Sequence, residues 1–136
     1  MAPEVAEATT VVVADDEPLM RELVVTLLEG AGYVVHEVSR AAELIEVVDL
    51  RGGEIDLLIV DVSMPGMTGP EAVEKIRESH DGLPVLYLSG HDSKRLDELQ
   101  ADRGPTRILQ KPFETTALLN AVRQMFDGPP ADDVTI

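Results

Sequence analysis

The chain has 136 residues, the length of one domain and enough to hide roughly two-thirds of its unfolded surface. Its apolar content of 44% excludes a disordered acidic protein, while 3% aromatics and no Trp leave the core to Val, Leu, Ile, Ala and Met. The net charge of −15 repels phosphate and argues against direct nucleic-acid binding, and the absence of Cys excludes disulfides and thiolate metal sites. No apolar run is long enough to cross a bilayer; even the stretch from Leu23 to Leu28 is short and broken by Thr26. The N-terminus lacks the basic start and apolar stretch of a signal peptide, so the expected localisation is cytoplasmic, without membrane insertion.

Residues 1–9 have no clear period and read as a flexible tail. Thr10–Ala14 is β-branched and apolar, the pattern of a buried strand, and it ends in Asp15-Asp16-Glu17-Pro18. Pro18 suits the first turn of a helix. Leu19, Met20, Leu23, Val24, Leu27 and Leu28 then recur at helical spacing until Gly30 and Gly32. Residues 33–38 form a second strand containing His36 and Glu37. Ser39 is placed to cap a helix over 41–50, with Glu43 one position late for a capping box. Arg51-Gly52-Gly53 reads as a turn.

Ile55-Asp56-Leu57-Leu58-Ile59-Val60-Asp61 is an apolar run that stops in a carboxylate, before the loop Met64-Pro65-Gly66. Gly69-Pro70 opens a third helix with Ala72, Val73 and Ile76 as its apolar stripe. Residues 83–88 are a fourth strand, followed by Ser89-Gly90-His91-Asp92. A weak helix over 93–100 is anchored by Leu96 and Leu99, and a turn follows at Arg103-Gly104-Pro105-Thr106. The fifth strand, 107–110, ends in Lys111-Pro112-Phe113. Leu118, Leu119, Val122, Met125 and Phe126 mark a final amphipathic helix that Gly128-Pro129-Pro130 ends. Residues 128–136 read as a second flexible tail, with no output domain and no basic recognition helix after it.

Five strand-helix units imply an α/β fold with a parallel sheet and helices on both faces. Such a sheet gathers the carboxyl ends of its strands at one edge, where ligands bind. Asp15, Asp16, Asp61, Ser89 and Lys111 all fall there. Crowded carboxylates repel one another, and a hard divalent cation relieves the repulsion. An incomplete set of oxygen ligands suits Mg²⁺ (or Mn²⁺), sharing its shell with water and phosphate. With Lys111 as a point charge and Ser89 as a hydroxyl donor, the set fits phosphoryl transfer to an aspartate.

Asp15-Asp16, Asp61, Met64-Pro65-Gly66, Ser89 and Lys111-Pro112-Phe113, in this order over residues 10–127, resemble the receiver domain of two-component response regulators, the CheY-like superfamily. The resemblance implies a flavodoxin-like (βα)5 fold with strand order 2-1-3-4-5, an order for which the protein CheY is itself a standard example. It implies that Asp61 is the phosphoacceptor. Asp15, Asp16, Asp61 and the backbone carbonyl of Ser63 would hold Mg²⁺. Lys111 would pair with the phosphoryl oxygens, ahead of a cis Lys111-Pro112 bond, and Ser89 would be the switch hydroxyl. The donor would be a phosphohistidine on a sensor histidine kinase or a histidine phosphotransfer protein, and the output an unidentified downstream protein. The chain would be a single-domain receiver or the receiver of a larger protein such as a hybrid kinase. It would catalyse its own phosphorylation and autodephosphorylation rather than act as an ordinary enzyme.

The chain departs from the family at Ile108, where an aromatic that moves with the switch hydroxyl is common. Ser63 and His91 stand at positions that tune hydrolysis. Three alternatives compete. A phosphatase with an Asp nucleophile wants a second acid where Ser63 stands. A flavin or nucleotide binder wants a phosphate-cradling loop where Asp15-Asp16-Glu17 would repel the ligand. A pseudo-receiver, working without phosphorylation, draws support from Ile108. His36, His80 and His91 read as structural or solvated. Lys94, Arg95, Arg103 and Arg107 form either plain surface or a partner-facing patch.

Overall fold

The computed structural model describes residues 9–90 and 104–127. Its elements are β1 (Thr10–Ala14), α1 (Pro18–Gly30), β2 (Val34–Val38), α2 (Ala41–Arg51), a 3-10 turn (Gly52–Glu54), β3 (Leu57–Asp61), α3 (Gly69–Ser79), β4 (Val85–Ser89), β5 (Thr106–Gln110) and α4 (Thr115–Asp127). The strands form one parallel sheet in the order β2-β1-β3-β4-β5. This is the flavodoxin-like arrangement expected from the resemblance. The expected helix at 93–100, with Lys94 and Arg95, lies outside the described residues, as do His91 and Arg103.

The alternation of the strands divides the core in two. Val12, Ala14, Leu58, Val60, Val85 and Tyr87 pack with Ala41, Leu44 and Val48 of α2 and Ala72, Val73 and Ile76 of α3. Val11, Val13, Leu57, Ile59, Leu86 and Leu88 pack with Val24 and Leu28 of α1 and Leu118 and Val122 of α4. Strands with both faces covered need no polar face, so β3 and β4 are buried throughout, whereas the edge strands β2 and β5 are only partly covered. Because every pairing is parallel, the carboxyl ends of all five strands lie at one edge of the sheet.

α1 ends at Gly30, as expected, and the chain reverses at Gly32, whose φ of 100° suits a residue without Cβ. One local expectation needs correction. Ser39 does not cap α2. It stands one residue too early, so Arg40 takes the N-cap position without a side-chain bond. Instead the Glu43 carboxylate accepts the Ser39 N–H at 2.9 Å and its hydroxyl at 3.3 Å. A true capping box occurs at α3, where the Thr68 hydroxyl accepts from Glu71 N–H and the Glu71 carboxylate accepts from Thr68 N–H. Thr68→Ala is expected to lower stability by about 1 kcal/mol, read as a shift in the urea midpoint.

Arg77 is buried on α3 at 1% exposure, against the ordinary preference of a charged side chain. Its guanidinium donates to the Leu83 carbonyl from Nε (3.3 Å) and Nη2 (2.9 Å), and from Nη2 to the Pro105 carbonyl at 2.9 Å. It thus ties α3 to the loops that lead into β4 and β5. His80, at the end of α3, lies 3.5 Å from Asp49 of α2. Arg107 Nη1 donates to the Gln124 side chain on α4, which gives it an intramolecular partner rather than a free surface.

Candidate functional site

Asp61 closes β3 and is 4% exposed, with its main chain paired to Leu88 of β4. Asp15 follows β1 directly and is fully buried; its N–H donates to the Val38 carbonyl, extending the β1–β2 ladder by one bond. Asp16 is half-buried beside it. Carboxylate oxygens of Asp15, Asp16 and Asp61 lie within 4.8 Å of one another. Lys111, just past β5, places Nζ 3.4 Å from Asp61 Oδ1 and 3.6 Å from Asp15 Oδ2. The parallel sheet thus joins groups from three strand ends that are remote in sequence.

Loop and helix contacts fix this geometry. The Ser63 N–H donates to Asp61 Oδ1 at 3.3 Å, and the Glu17 N–H to Asp15 Oδ1 at 2.9 Å. Gly69 opens α3 against the Asp61 main chain: a Cβ there would stand 2.3 Å from the Asp61 carbonyl oxygen and 2.8 Å from Val60 Cγ1. The Lys111 N–H donates to the Ser89 carbonyl at 2.7 Å, and the Lys111–Pro112 bond is cis, as expected. Ser89 is 1% exposed at the end of β4, and its hydroxyl makes a long 3.5 Å contact with the Gly90 carbonyl. Ile108 is 39% exposed on β5, in register with the buried Tyr87.

Burial of Asp61 and the charge of Asp15 push the Asp61 carboxyl up to about 6, against the pull of Lys111 and the Ser63 N–H. Burial likewise raises Asp15, opposed by the Glu17 N–H and Lys111. The site therefore concentrates more negative charge than Lys111 neutralises. Asp15 Oδ2 is buried without a hydrogen-bond partner. Unpaired buried carboxylate oxygen is costly, and an all-oxygen cluster with one such atom is suited to a hard cation. The three acids form a candidate metal-binding site.

The residue patterns did not single out Arg21. From the first turn of α1 its Nη1 donates to the Asp15 carbonyl at 2.8 Å and its Nε to Glu37 Oε1 at 3.0 Å. The available signal was an Arg five residues after an Asp-Asp pair, which by itself does not name a carbonyl as its target.

A doubly wound sheet with acids, a lysine and a buried hydroxyl on its carboxyl edge defines a domain built to receive a phosphoryl group. The family model for the response regulator receiver domain matches residues 11–123, and the chain belongs to that family. It is 32% identical over 127 residues to the sensor kinase CckA of Brucella abortus, a match covering 93% of this chain and 13% of that protein. It is 31% identical over 123 residues to the response regulator MprA of Mycobacterium leprae, covering 90% of this chain and 53% of MprA. The chain thus spans at most about half of these curated relatives. Among solved structures, the receiver protein of Sinorhizobium medicae superposes with a TM-score of 0.80 at 30% identity, covering 90% of this chain and 97% of that one. The chemotaxis protein CheY4 of Vibrio cholerae superposes with a TM-score of 0.77 at 29% identity, covering 86% and 98%. Receiver domains of this family take up and lose a phosphoryl group by their own catalysis rather than as ordinary enzymes. Among the described residues no helix is long and apolar enough to cross a membrane.

Proposed function

We propose that residues 10–127 act as a phosphorelay receiver in which Asp61 is the phosphoacceptor. The observation that carries this reading is the convergence of Asp61 with Asp15, Asp16 and Lys111 at one sheet edge. An Asp61 carboxylate oxygen attacks the phosphorus of a phosphohistidine. The P–N bond breaks as the new P–O bond forms, and the imidazole, protonated on its other ring nitrogen, leaves as the neutral ring with the bonding pair. Asp61 is held at the end of a rigid buried strand, which keeps the attacking oxygen in place without further ordering cost. Lys111 offsets negative charge on the phosphoryl oxygens, and the Ser89 hydroxyl turns from Gly90 to donate to one of them.

Asp15, Asp16, Asp61 and the Ser63 carbonyl would hold Mg²⁺, with Mn²⁺ able to replace it. When bound, that ion supplies charge stabilisation to the transferred group. A sensor histidine kinase or a histidine phosphotransfer protein is the donor, a reading supported by the likeness to CckA and to response regulators. Phosphorylation would alter the surface presented to a downstream protein.

The test is the rate at which a small phosphodonor adds one phosphoryl group, followed by intact mass with and without Mg²⁺. Uptake is expected to require Mg²⁺. Lys111→Ala should slow it by roughly a hundredfold, the scale of losing one charge-stabilising group. Uptake in Mg²⁺ at the wild-type rate in Lys111→Ala would remove Lys111 from this role.

A further inference from the structure

We propose that Arg21, from α1, is a positioning residue that aims the Asp15 carboxylate into the cation site by holding the Asp15 main chain. The inference rests on the metal reading above and concerns a residue outside the ligand set.

The geometry follows from the helix start. Pro18 begins α1, and the Arg21 N–H donates to the Glu17 carbonyl at 2.9 Å, so Arg21 closes the first helical turn. Side chains on a helix lean toward its N-terminus, which carries this guanidinium back over the ends of β1 and β2. There its planar fork engages two acceptors at once: the Asp15 carbonyl at 2.8 Å and Glu37 Oε1 at 3.0 Å. Glu37 belongs to β2 and pairs with Val13 of β1. One side chain therefore ties α1 to both strands at the point where the acidic pair begins.

The consequence for Asp15 is orientation. Its N–H is taken by the Val38 carbonyl at 3.2 Å, its carbonyl by Arg21 and its Oδ1 by the Glu17 N–H. Only Oδ2 is left, buried and without a hydrogen bond, 3.6 Å from Lys111. Without the Arg21 bond the peptide after Asp15 can rotate, and the Glu17 N–H that fixes Oδ1 moves with it. Arg21 touches no carboxylate of the ligand cluster, so its influence runs through the backbone. Lysine has no fork and cannot hold both acceptors in one geometry.

The experiment is calorimetric titration of the full chain with Mg²⁺ for wild type, Arg21→Gln, Arg21→Lys and Glu37→Ala, with urea unfolding of each in chelator. Arg21→Gln is expected to weaken Mg²⁺ binding about tenfold, the scale seen when a group that orients a metal ligand is lost. Arg21→Lys should regain much of the unfolding midpoint while leaving Mg²⁺ binding weakened. A merely structural arginine would give the opposite: lower midpoints with unchanged Mg²⁺ affinity, and that result overturns the proposal. If Arg21→Gln does not fold, Glu37→Ala decides. It removes the acceptor of one arm of the fork, so weakened Mg²⁺ binding supports the proposal and unchanged binding overturns it. Wild-type protein that binds no Mg²⁺ would instead overturn the metal reading, and this inference with it.

Discussion

Asp61→Asn is expected to stabilise the cation-free protein at neutral pH, although it removes the residue on which function is proposed to depend. The Asp61 carboxyl ionises near pH 3.8 when unconstrained and at about 6 in the fold, because it is buried beside Asp15. Between those values the native state holds a proton that the unfolded chain has released, so stability falls as pH rises through this window. Above pH 6 the full cost of holding Asp61 charged is present. A rise of this size corresponds to roughly 2–3 kcal/mol. Asp15 is raised as well, and adds a cost of the same sign. The amide introduced by Asp61→Asn keeps an acceptor for the Ser63 N–H but carries no charge to set against Asp15. In chelator, urea unfolding should give a higher midpoint for Asp61→Asn than for wild type at pH 7.5, with the gap closing toward pH 4. The wild-type comparison at each pH cancels the general repulsion of a chain with net charge −15. A gap that is absent at pH 7.5, or that widens on acidification, would contradict the electrostatic account.

The second large effect lies away from the site. Arg77→Met is expected to destabilise the fold by on the order of 3 kcal/mol, because it leaves a buried carbonyl without its donors. Leu83 loses two guanidinium bonds, whereas Pro105 retains the Val85 N–H at 2.9 Å. Methionine fills part of the volume but offers no donor. Arg77→Lys should recover only part of the loss, since a single ammonium cannot span both carbonyls. This is a large share of the 5–15 kcal/mol that holds a typical domain together. Urea unfolding measures it directly, and a midpoint within error of wild type would show that the buried guanidinium adds nothing net. Both carbonyls belong to loops feeding β4 and β5, the strands that deliver Ser89 and Lys111. Arg77→Met should therefore also broaden the amide signals of those two residues.

The sheet was legible because its signals are local. Thr10–Ala14 and Leu57–Asp61 are short aliphatic runs with abrupt polar ends, and a strand buried on both faces has no other composition available. Asp15, Asp16, Asp61 and Lys111 could be placed together because strand ends in a parallel sheet share an edge, whatever their separation in sequence. The groups that escaped notice are those whose partners are main-chain atoms. Arg21 binds the Asp15 carbonyl and Arg77 those of Leu83 and Pro105, and every residue has a carbonyl. No residue type at the receiving end marks such a contact. Ser39 and Glu43 illustrate a finer limit: the pair does interact, but a spacing of four instead of three moves Ser39 off the N-cap. Ile108 departs from the family pattern, and its partly exposed place opposite Tyr87 leaves the buried aromatic on β4 rather than on β5.

The central claim is that Asp61, among three adjacent acids, carries the phosphoryl group. Borohydride reduction of the phosphorylated chain followed by peptide mass mapping tests it most directly, since it converts an aspartyl phosphate to homoserine at the modified position. Homoserine is expected at position 61 alone, only after treatment with phosphodonor and Mg²⁺, and at no position in Asp61→Asn. Homoserine at position 15 or 16, or an equal yield in Asp61→Asn, would contradict the assignment.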